Sequence, residues 1–327
     1  MSIDRVRQAL KGISGVHVTP YGPDGEVDAA LLRRVVERIA AAGVHNVVAA
    51  GNTGEFYALT PAELRLVHET AIAAAKGRAL VTAAVGRSLR EAVATAKDAA
   101  AMGADAVMAH QPLDPFAAPS AQVDYFLAIA DAGALPLVAY VRSNDIGLSD
   151  LTRLAAHPNV AGIKFATPNL MLLADCIRAT ADSPAVWVCG LAEGWAAPFH
   201  ALGARGFTSG LVNVAPERSL AIHAALEAGR YEEARRRVAA IAAFEAMRTK
   251  HNNGANVTVV KEAMRLIGFP VGPVRAPGLV ALEPGDRERL AAILKGWGVG
   301  TATLAAAEEE RLGSQNVLAP LTASSTE

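Results

Sequence analysis

The segment LVAYVRSNDIGLSDLTRLAAHPNVAGIKF, residues 137–165, contains the unit that decides the fold. It opens with the short apolar run Leu137–Tyr140, passes through a polar break and a helix start near Ser149, and closes with the apolar run Val160–Phe165. This order is typical of two parallel strands joined by a crossover helix. We therefore predict a β-α-β unit here.

The same rhythm extends over most of the chain in both directions. Six further apolar runs precede segments of helical spacing, namely Gly15–Thr19, His45–Ala50, Leu80–Ala84, Ala106–Ala109, Val186–Cys189 and Gly206–Ser209. Eight such units, repeating at roughly 25–30 residues, favour a closed (β/α)8 TIM barrel of the α/β class. Because periodicity does not report closure, an open doubly wound sheet is the alternative.

Helix boundaries carry their own signals. Thr60 followed by Pro61 and Glu63 predicts a capping box, Ser88 with Glu91 predicts a second one, and Ser149 predicts another helix start. Glycines that can relieve left-handed strain predict the helix ends at Gly43, Gly77, Gly103, Gly133 and Gly203.

The pattern changes after the eighth unit. Three helical segments follow with no strands between them, at residues 216–250, 256–267 and 283–297, and the first holds the eighth barrel helix and an Arg-rich successor. We predict a barrel with a short N-terminal helix in residues 1–228 and a C-terminal helical extension packed on it in residues 229–312. Residues 313–327, rich in Ser, Thr and Ala, are predicted to be a disordered tail.

Composition excludes several classes of function. The 327 residues carry 31 basic and 32 acidic side chains without a basic block, which argues against a nucleic-acid partner. Two isolated cysteines and a charged amphipathic N-terminus predict a cytoplasmic protein without a disulfide framework. No apolar stretch reaches the roughly 18 uninterrupted residues of a membrane span, so we expect no membrane partner either.

Lys164 is the strongest chemical signal in the chain. It lies in the apolar run Val160–Phe165, which holds no other charge. Burial of an ammonium lowers its pKa and frees a neutral amine that can attack a carbonyl. A lysine that reaches solvent or pairs with a carboxylate is the alternative interpretation. The end of a barrel strand, where active sites lie, favours the chemical role.

Tyr140 ends the preceding predicted strand, so its side chain is expected at the same barrel face as Lys164. A phenol there can move protons while an imine forms, although a tyrosine on the barrel rim is the alternative. Just beyond it, Arg142 and Asn144 are candidates to bind a distal carboxylate or hydroxyl groups, or they simply cover the rim.

Two glycine-containing turns are weaker candidates. The segment Gly51-Asn52-Thr53-Gly54-Glu55 follows the second apolar run, and its glycines and Thr53 hydroxyl suit a carboxylate cradle. A Gly-x-x-Gly loop is more often only a tight turn. Gly190 is likewise either a turn residue or a point of close approach.

Metal and nucleotide sites are not expected. The eight histidines show no metal-ligand spacing, and no G-x-G-x-x-G or P-loop pattern follows a strand. We predict no metal and no cofactor apart from a covalent imine on Lys164.

Taken in order, these motifs resemble the dihydrodipicolinate synthase/N-acetylneuraminate lyase family over roughly residues 10 to 270. The segments that carry the resemblance are Gly51–Phe56, Leu59–Glu63, Tyr140, Gly162–Lys164, Gly190 and Gly203–Pro216. The resemblance implies a TIM-barrel class I (Schiff-base) lyase that is typically a homotetramer and needs no metal. It implies Lys164 as the Schiff-base lysine, Tyr140 as the proton relay, and a carboxylate grip by Thr53 and the Gly54 backbone.

The chain departs from the dihydrodipicolinate synthases of this family. Those enzymes usually show Thr where this chain has Asn52, an arginine where it has Asp145, and a tyrosine in the segment His110–Phe116, which has none. The segments Tyr140–Asn144, Gly54–Phe56 and Thr208-Ser209 look more like the 2-keto-3-deoxy sugar acid dehydratases, such as 5-dehydro-4-deoxyglucarate dehydratase.

The sequence therefore predicts a lyase that acts on a small-molecule 2-oxo acid, as a 2-keto-3-deoxy sugar acid dehydratase or aldolase. The predicted catalytic residues are Lys164, Tyr140 and Thr53. The predicted binding residues are Asn52, Gly54, Arg142 toward a far carboxylate, Asn144, Gly190, and Thr208 and Ser209 along the substrate channel. The alternatives are a pyruvate-dependent aldolase of dihydrodipicolinate synthase or N-acetylneuraminate lyase type, a barrel that binds keto acids without turnover, and an oligomeric scaffold.

Overall fold

The computed structural model describes residues 2–279 and 281–299 and contains a closed barrel of eight parallel strands, as predicted. Each strand pairs with the next along the chain, and the first pairs with the last. The strands are β1 (Ile13–Val16), β2 (Asn46–Ala49), β3 (Leu80–Val85), β4 (Ala106–His110), β5 (Leu137–Val141), β6 (Val160–Phe165), β7 (Val186–Cys189) and β8 (Phe207–Ser209).

Eight helices, α2 to α9, follow the strands one by one and form the outer layer, while α1 precedes the barrel and three more helices follow it. Their bounds are α1 (Ile3–Leu10), α2 (Ala29–Ala41), α3 (Pro61–Ala75), α4 (Leu89–Met102), α5 (Pro119–Asp131), α6 (Leu148–Ala155), α7 (Leu170–Ala179), α8 (Glu193–Ala201), α9 (Pro216–Glu227), α10 (Tyr231–Arg248), α11 (Asn256–Leu266) and α12 (Asp286–Gly296). None of the helices in the described residues is both long and apolar enough to cross a membrane.

The first strand begins and ends earlier than the run Gly15–Thr19 indicated. Val18 is fully buried like the strand residues, so hydrophobicity alone carries no signal for the boundary. The backbone amide of Val18 donates instead to the Asn213 side chain (3.0 Å), which takes this segment out of the ladder. At β4 and β5 the ladder extends by one residue, to His110 and Val141.

Helix capping follows the sequence at some positions and differs at others. Thr60 and Glu63 form the expected capping box, and all five glycines expected at helix ends have positive φ. Ser88 accepts a hydrogen bond from the Glu91 amide, but the Glu91 carboxylate pairs with Arg87 (2.7 Å), so only half of the second box forms. The helix expected to start at Ser149 begins one residue earlier, at Leu148.

Three buried polar side chains form a row of hydrogen bonds inside the barrel. Thr82 donates to the Asn46 side chain (2.9 Å), and the Asn46 amide donates to Ser14 (3.0 Å). These three side chains line a small internal cavity together with Leu10 at the end of α1 and with Lys164. Because each polar side-chain atom of these three residues takes part in a hydrogen bond, they fill the barrel without an unsatisfied polar atom.

The segment 216–250 is divided into two helices at Gly229, whose φ of +69° ends α9. Beyond it, the described residues between α10, α11 and α12 contain no strand. A buried ion pair joins α11 to the loop after β2, because Lys261 Nζ lies 2.5 Å from a Glu55 carboxylate oxygen. The tail predicted at residues 313–327, and residues 300–312 of the predicted extension, lie outside the described residues.

Candidate active site

Three side chains from neighbouring strands form one row at the carboxyl-terminal end of the barrel. In the parallel ladders His110 of β4 is in register with Tyr140 of β5, and Tyr140 is in register with Lys164 of β6. Residues in register on parallel strands point the same way, and Lys164 lines the internal cavity. The row therefore points into the barrel at the end where barrel enzymes carry their active sites.

Lys164 lies in an apolar setting, with 4% of its surface exposed. Its Nζ atom is 3.7 Å from the centre of the Tyr140 ring, and no carboxylate of the described residues lies within ion-pair distance. Burial lowers the pKa of Lys164 to about 7, and the positive charge of Arg142 acts in the same direction. A large fraction of this amine is therefore neutral near pH 7, as a nucleophile requires.

The Tyr140 hydroxyl is held by the turn after β2. The Asn52 side-chain amide donates to its oxygen at 3.2 Å, and no acceptor for the phenol proton occurs among the described residues. Burial raises the pKa of Tyr140, while Arg142 and the Asn52 hydrogen bond oppose the shift. Tyr140 is therefore a protonated phenol whose hydrogen is available to a ligand.

Thr53, 7% exposed, sits in a 3-10 turn, Asn52–Gly54, directly after β2. Gly54 does not offer a free amide, because its N–H donates to the Gly51 carbonyl oxygen at 2.8 Å. This corrects the expected grip by the Gly54 backbone. Within the described part of the chain, the amides of Asn52 and Thr53 have no acceptor, as is usual for the first N–H groups of a helical turn.

Arg142 and Asn144 lie outside the row, on the loop after β5. Both are exposed, and the Arg142 guanidinium lies 5.9 Å from the centre of the Tyr140 ring. Arg142 forms no ion pair with any described residue, so its charge is not neutralised by a side chain of the described part of the protein. No contact joins Asn144 to the row among the described residues.

Gly190 allows the backbone after β7 to pack closely against the end of β6. A Cβ atom there would lie 2.6 Å from the Ala166 Cβ and 3.0 Å from the Phe165 carbonyl oxygen. The Gly190 amide also donates to that carbonyl, at 2.8 Å. Gly190 is thus a point of close approach between the ends of β6 and β7, and its φ is not positive.

Thr208 and Ser209 do not share one face, which corrects the expectation that both line the substrate channel. Thr208 lines the internal cavity with Lys164. The Ser209 hydroxyl instead contacts the Glu193 carboxylate of α8, and it lies 3.1 Å from the Ser219 hydroxyl of α9. Successive residues of a strand alternate between faces, so one of this pair must face the helices.

Sequence reasoning missed His110 and Arg248. His110 follows the fourth apolar run as Tyr140 ends the fifth, and that parallel position was the available signal. Arg248, 4% exposed, comes from α10, and its Nη2 lies 2.6 Å from the position of a Cβ on Gly210. The Thr53 hydroxyl lies 3.5 Å from the same position, so Arg248 and Thr53 both border Gly210. No local pattern around Arg248 signals this contact.

Other reactive groups lie apart from the row or are held inert. Burial raises the pKa of Cys189 to about 12, so its thiol stays protonated at neutral pH. Within residues 2–279 and 281–299, no group of three or more His, Cys, Asp or Glu side chains is arranged to hold a metal ion.

Comparison with known proteins identifies the family of this chain. The model of the dihydrodipicolinate synthetase family matches residues 9–296. A 4-hydroxy-tetrahydrodipicolinate synthase from Exiguobacterium sibiricum is 31% identical over 86% of this chain and 96% of its own. A probable 5-dehydro-4-deoxyglucarate dehydratase from Streptomyces coelicolor is 33% identical over 80% of this chain and 84% of its own.

Solved structures are similar over nearly the same span. The crystal structure of dihydrodipicolinate synthase from Oceanobacillus iheyensis has a TM-score of 0.87 and 36% sequence identity, and the match covers 91% of this chain and 99% of that chain. The enzyme of the same name from Bacillus clausii also gives a TM-score of 0.87, at 35% identity, over 90% of this chain and 100% of its own.

Proposed function

The chain belongs to the dihydrodipicolinate synthetase family, and on this premise we propose that Lys164 forms an imine with the ketone of a small 2-oxo acid. The observation that carries the proposal is the row on β4 to β6. It holds a buried lysine without a carboxylate partner, in contact with a phenol on the adjacent strand.

The chemistry follows from the protonation states of the two groups. The neutral Lys164 amine attacks C2, and the ketone oxygen becomes the hydroxyl of a carbinolamine. The Tyr140 phenol gives its proton to that hydroxyl, which leaves as water, and the nitrogen lone pair forms the iminium. The Tyr140 phenolate then takes a proton from C3, and the electrons of that C–H bond move toward the iminium nitrogen to give an enamine.

The turn Asn52–Gly54 supplies the contacts for the carboxylate of the 2-oxo acid. The Thr53 hydroxyl and the free amides of Asn52 and Thr53 are hydrogen-bond donors in a turn that Asn52 also ties to Tyr140. Hydrogen bonds to a charged acceptor are stronger than neutral ones. A carboxylate held there is therefore tethered next to the residue that moves the proton.

Within the family we propose a 2-keto-3-deoxy sugar acid dehydratase or aldolase as the specific activity. Arg142 supports a substrate with a second acidic group, because its guanidinium is unpaired in the described residues and lies 5.9 Å from the centre of the Tyr140 ring. Relatives at 32–33% identity carry the name probable 5-dehydro-4-deoxyglucarate dehydratase. A pyruvate-dependent aldolase is the second candidate, favoured by relatives named 4-hydroxy-tetrahydrodipicolinate synthase.

Borohydride reduction in the presence of pyruvate tests the imine. We expect a mass increase corresponding to reduced pyruvate on the peptide that contains Lys164, and its loss in Lys164→Ala. Lys261 serves as the internal control, because this second buried lysine is paired with Glu55 and should stay unmodified. Absence of an adduct with pyruvate and with longer 2-oxo acids would overturn the proposal.

Turnover distinguishes the specific activities. A panel of 2-keto-3-deoxy sugar acids with one or two carboxylates should give a dehydrated 2-oxo product if a hydroxyl leaves from C4. Pyruvate and an aldehyde should appear if the C3–C4 bond breaks. Adduct formation on Lys164 without any turnover across the panel would favour a keto-acid-binding protein.

We propose a homotetramer by analogy with the family, and sedimentation velocity of the full chain checks it. A monomeric species at micromolar concentration would contradict it.

A further inference from the structure

His110 is a buried imidazole in the row of reactive side chains that the mechanism above does not use. It is 1% exposed, ends β4, and its ring centre lies 5.5 Å from that of Tyr140. Tyr140 thus stands between His110 and Lys164 in the row. A ligand fixed to Lys164 at C2 and extended along the row passes the phenol before it reaches the imidazole.

The surroundings of His110 hold its ring in place and leave its nitrogens free. Phe56 stacks on the ring at 4.2 Å with an interplanar angle of 18°, and Tyr57 meets it edge-on at 5.3 Å. Neither ring nitrogen makes a hydrogen bond of good geometry with the described residues, although the Ala50 carbonyl oxygen lies near enough to attract the ring N–H. A buried polar group without a good hydrogen bond costs free energy, so a ring fixed in this position is suited to bind a polar group of a ligand.

The charge state of His110 limits what it can bind. Burial lowers the pKa of His110 well below its usual value, and Lys164 and Arg142 lower it further, against the opposing effect of the Ala50 carbonyl. The ring is therefore neutral near pH 7 and offers one N–H donor and one nitrogen acceptor. A hydroxyl group matches both, whereas a carboxylate uses only the donor.

Position distinguishes His110 from the other buried imidazoles. His68 is also fully buried without a partner, but it lies on α3, in the layer of helices. His17 contacts the Val18 carbonyl oxygen at 2.9 Å. Of these three, only His110 is in register with Tyr140 and thereby next to the proposed imine.

We propose that His110 binds a hydroxyl group of the substrate carbon chain beyond C3 and so selects hydroxylated 2-oxo acids over unsubstituted ones. This inference rests on the proposed function, since it requires the 2-oxo acid to be held at Lys164. A site built to hydrogen-bond a hydroxyl disfavours an analogue without it, because its own polar group then stays unpaired.

Two six-carbon acids that differ in hydroxylation test the inference. The fraction of Lys164 reduced by borohydride is measured against the concentration of 2-keto-3-deoxygluconate and of 2-oxohexanoate, with pyruvate as a third ligand. We expect His110→Phe, which keeps a ring against Phe56, to raise the half-saturating concentration of the hydroxylated acid about tenfold. The values for 2-oxohexanoate and pyruvate should stay within about twofold.

Two further variants make the result specific. His110→Gln keeps a donor and an acceptor and should recover part of the preference for the hydroxylated acid. His68→Phe removes another unpartnered buried imidazole and should leave all three values unchanged. An equal change for hydroxylated and unsubstituted acids in His110→Phe, or no change, would overturn the inference. Failure of the unaltered protein to trap any of the three acids would instead overturn the proposed function, and this inference with it.

Discussion

At the scale of single residues, two buried lysines in this protein have opposite surroundings. Lys261 lies 2.5 Å from the Glu55 carboxylate and also donates to the Pro273 carbonyl oxygen at 2.9 Å. Lys164 has an aromatic ring at 3.7 Å and no carboxylate partner in the described chain. A charge that is buried without a partner is expensive, and proteins keep such groups where their perturbed pKa serves chemistry.

Replacement of Lys164 by methionine should therefore stabilise the protein. A folded-state pKa of about 7 in place of 10.5 means that the unfolded chain binds more protons between these two values, so stability rises with pH across that window. At pH 7 the cost of Lys164 is on the order of 4 kcal/mol. We expect Lys164→Met to be more stable by up to about this amount at pH 7, and by much less near pH 10.

Urea unfolding of both proteins at the two pH values provides the measurement. Lys261→Met is the matched control with the opposite sign, because it leaves the Glu55 carboxylate buried and unpaired, at a cost of about 3–5 kcal/mol. A stability difference between Lys164→Met and the unaltered protein that does not shrink with rising pH would contradict the assigned cause.

At the scale of elements, the two faces of β8 have different surroundings, one at the barrel interior and one at the outer helices. Thr208 faces the cavity beside Lys164, and Ser209 faces a buried polar cluster between α8 and α9. In that cluster Glu193 is fully buried, and burial raises its pKa to about 6 while the Ser209 and Ser219 hydroxyls oppose the shift. The same strand therefore serves the site with one residue and helix packing with the next.

Paired substitutions on β8 should separate the two tasks. Ser209→Ala removes a donor to the buried Glu193 carboxylate and should lower the free energy of unfolding by about 1–3 kcal/mol, with pyruvate trapping unchanged. Thr208→Val keeps the side-chain shape but removes the hydroxyl at the cavity, and should alter trapping more than stability. Urea unfolding measures stability and borohydride trapping measures imine formation. Loss of trapping in Ser209→Ala, together with loss of stability alone in Thr208→Val, would contradict this assignment of the two faces.

At the scale of the whole molecule, the C-terminal helices are joined to the catalytic turn. The Glu55–Lys261 pair connects the end of the turn to α11, and the Arg275 amide donates to the same carboxylate at 2.8 Å. Arg248 of α10 reaches the space beside Thr53. Because Glu55 and Lys261 are buried, separation of the helices from the barrel would leave both charges unpaired, whereas Arg248 would keep its partner Glu245 on the same helix.

We therefore expect the barrel and the C-terminal helices to unfold in one transition. Trp297 reports on the C-terminal helices, since it packs on Phe244 of α10 and on the Arg218 guanidinium. In a variant with Trp187→Phe and Trp195→Phe, its fluorescence should change at the same urea concentration as the far-ultraviolet circular dichroism, which follows the whole fold. An earlier transition of Trp297 would show that the extension unfolds separately.

Much of the barrel could be predicted from sequence because its signals are local. The runs at Val160–Phe165 and Val186–Cys189 coincide with β6 and β7, and Gly103 and Gly203 end helices with positive φ. Predicted strand boundaries were wrong where buried apolar residues continue past the last hydrogen bond between strands, as at Val18. The side-chain assignment failed at Ser209 because the sequence pairs two hydroxyl residues without showing which of them faces the axis.

The sequence by itself determined that Lys164 and Tyr140 end neighbouring parallel strands, since strand order and the two-residue side-chain period suffice to bring them to one face. Only the tertiary structure decided that Phe56 stacks on His110, that Ser209 faces the helices, and that Lys261 pairs with Glu55 at the end of the turn around Thr53. Those contacts join residues up to about two hundred positions apart, and their geometry depends on how the closed barrel and its outer helices pack, which no local pattern encodes.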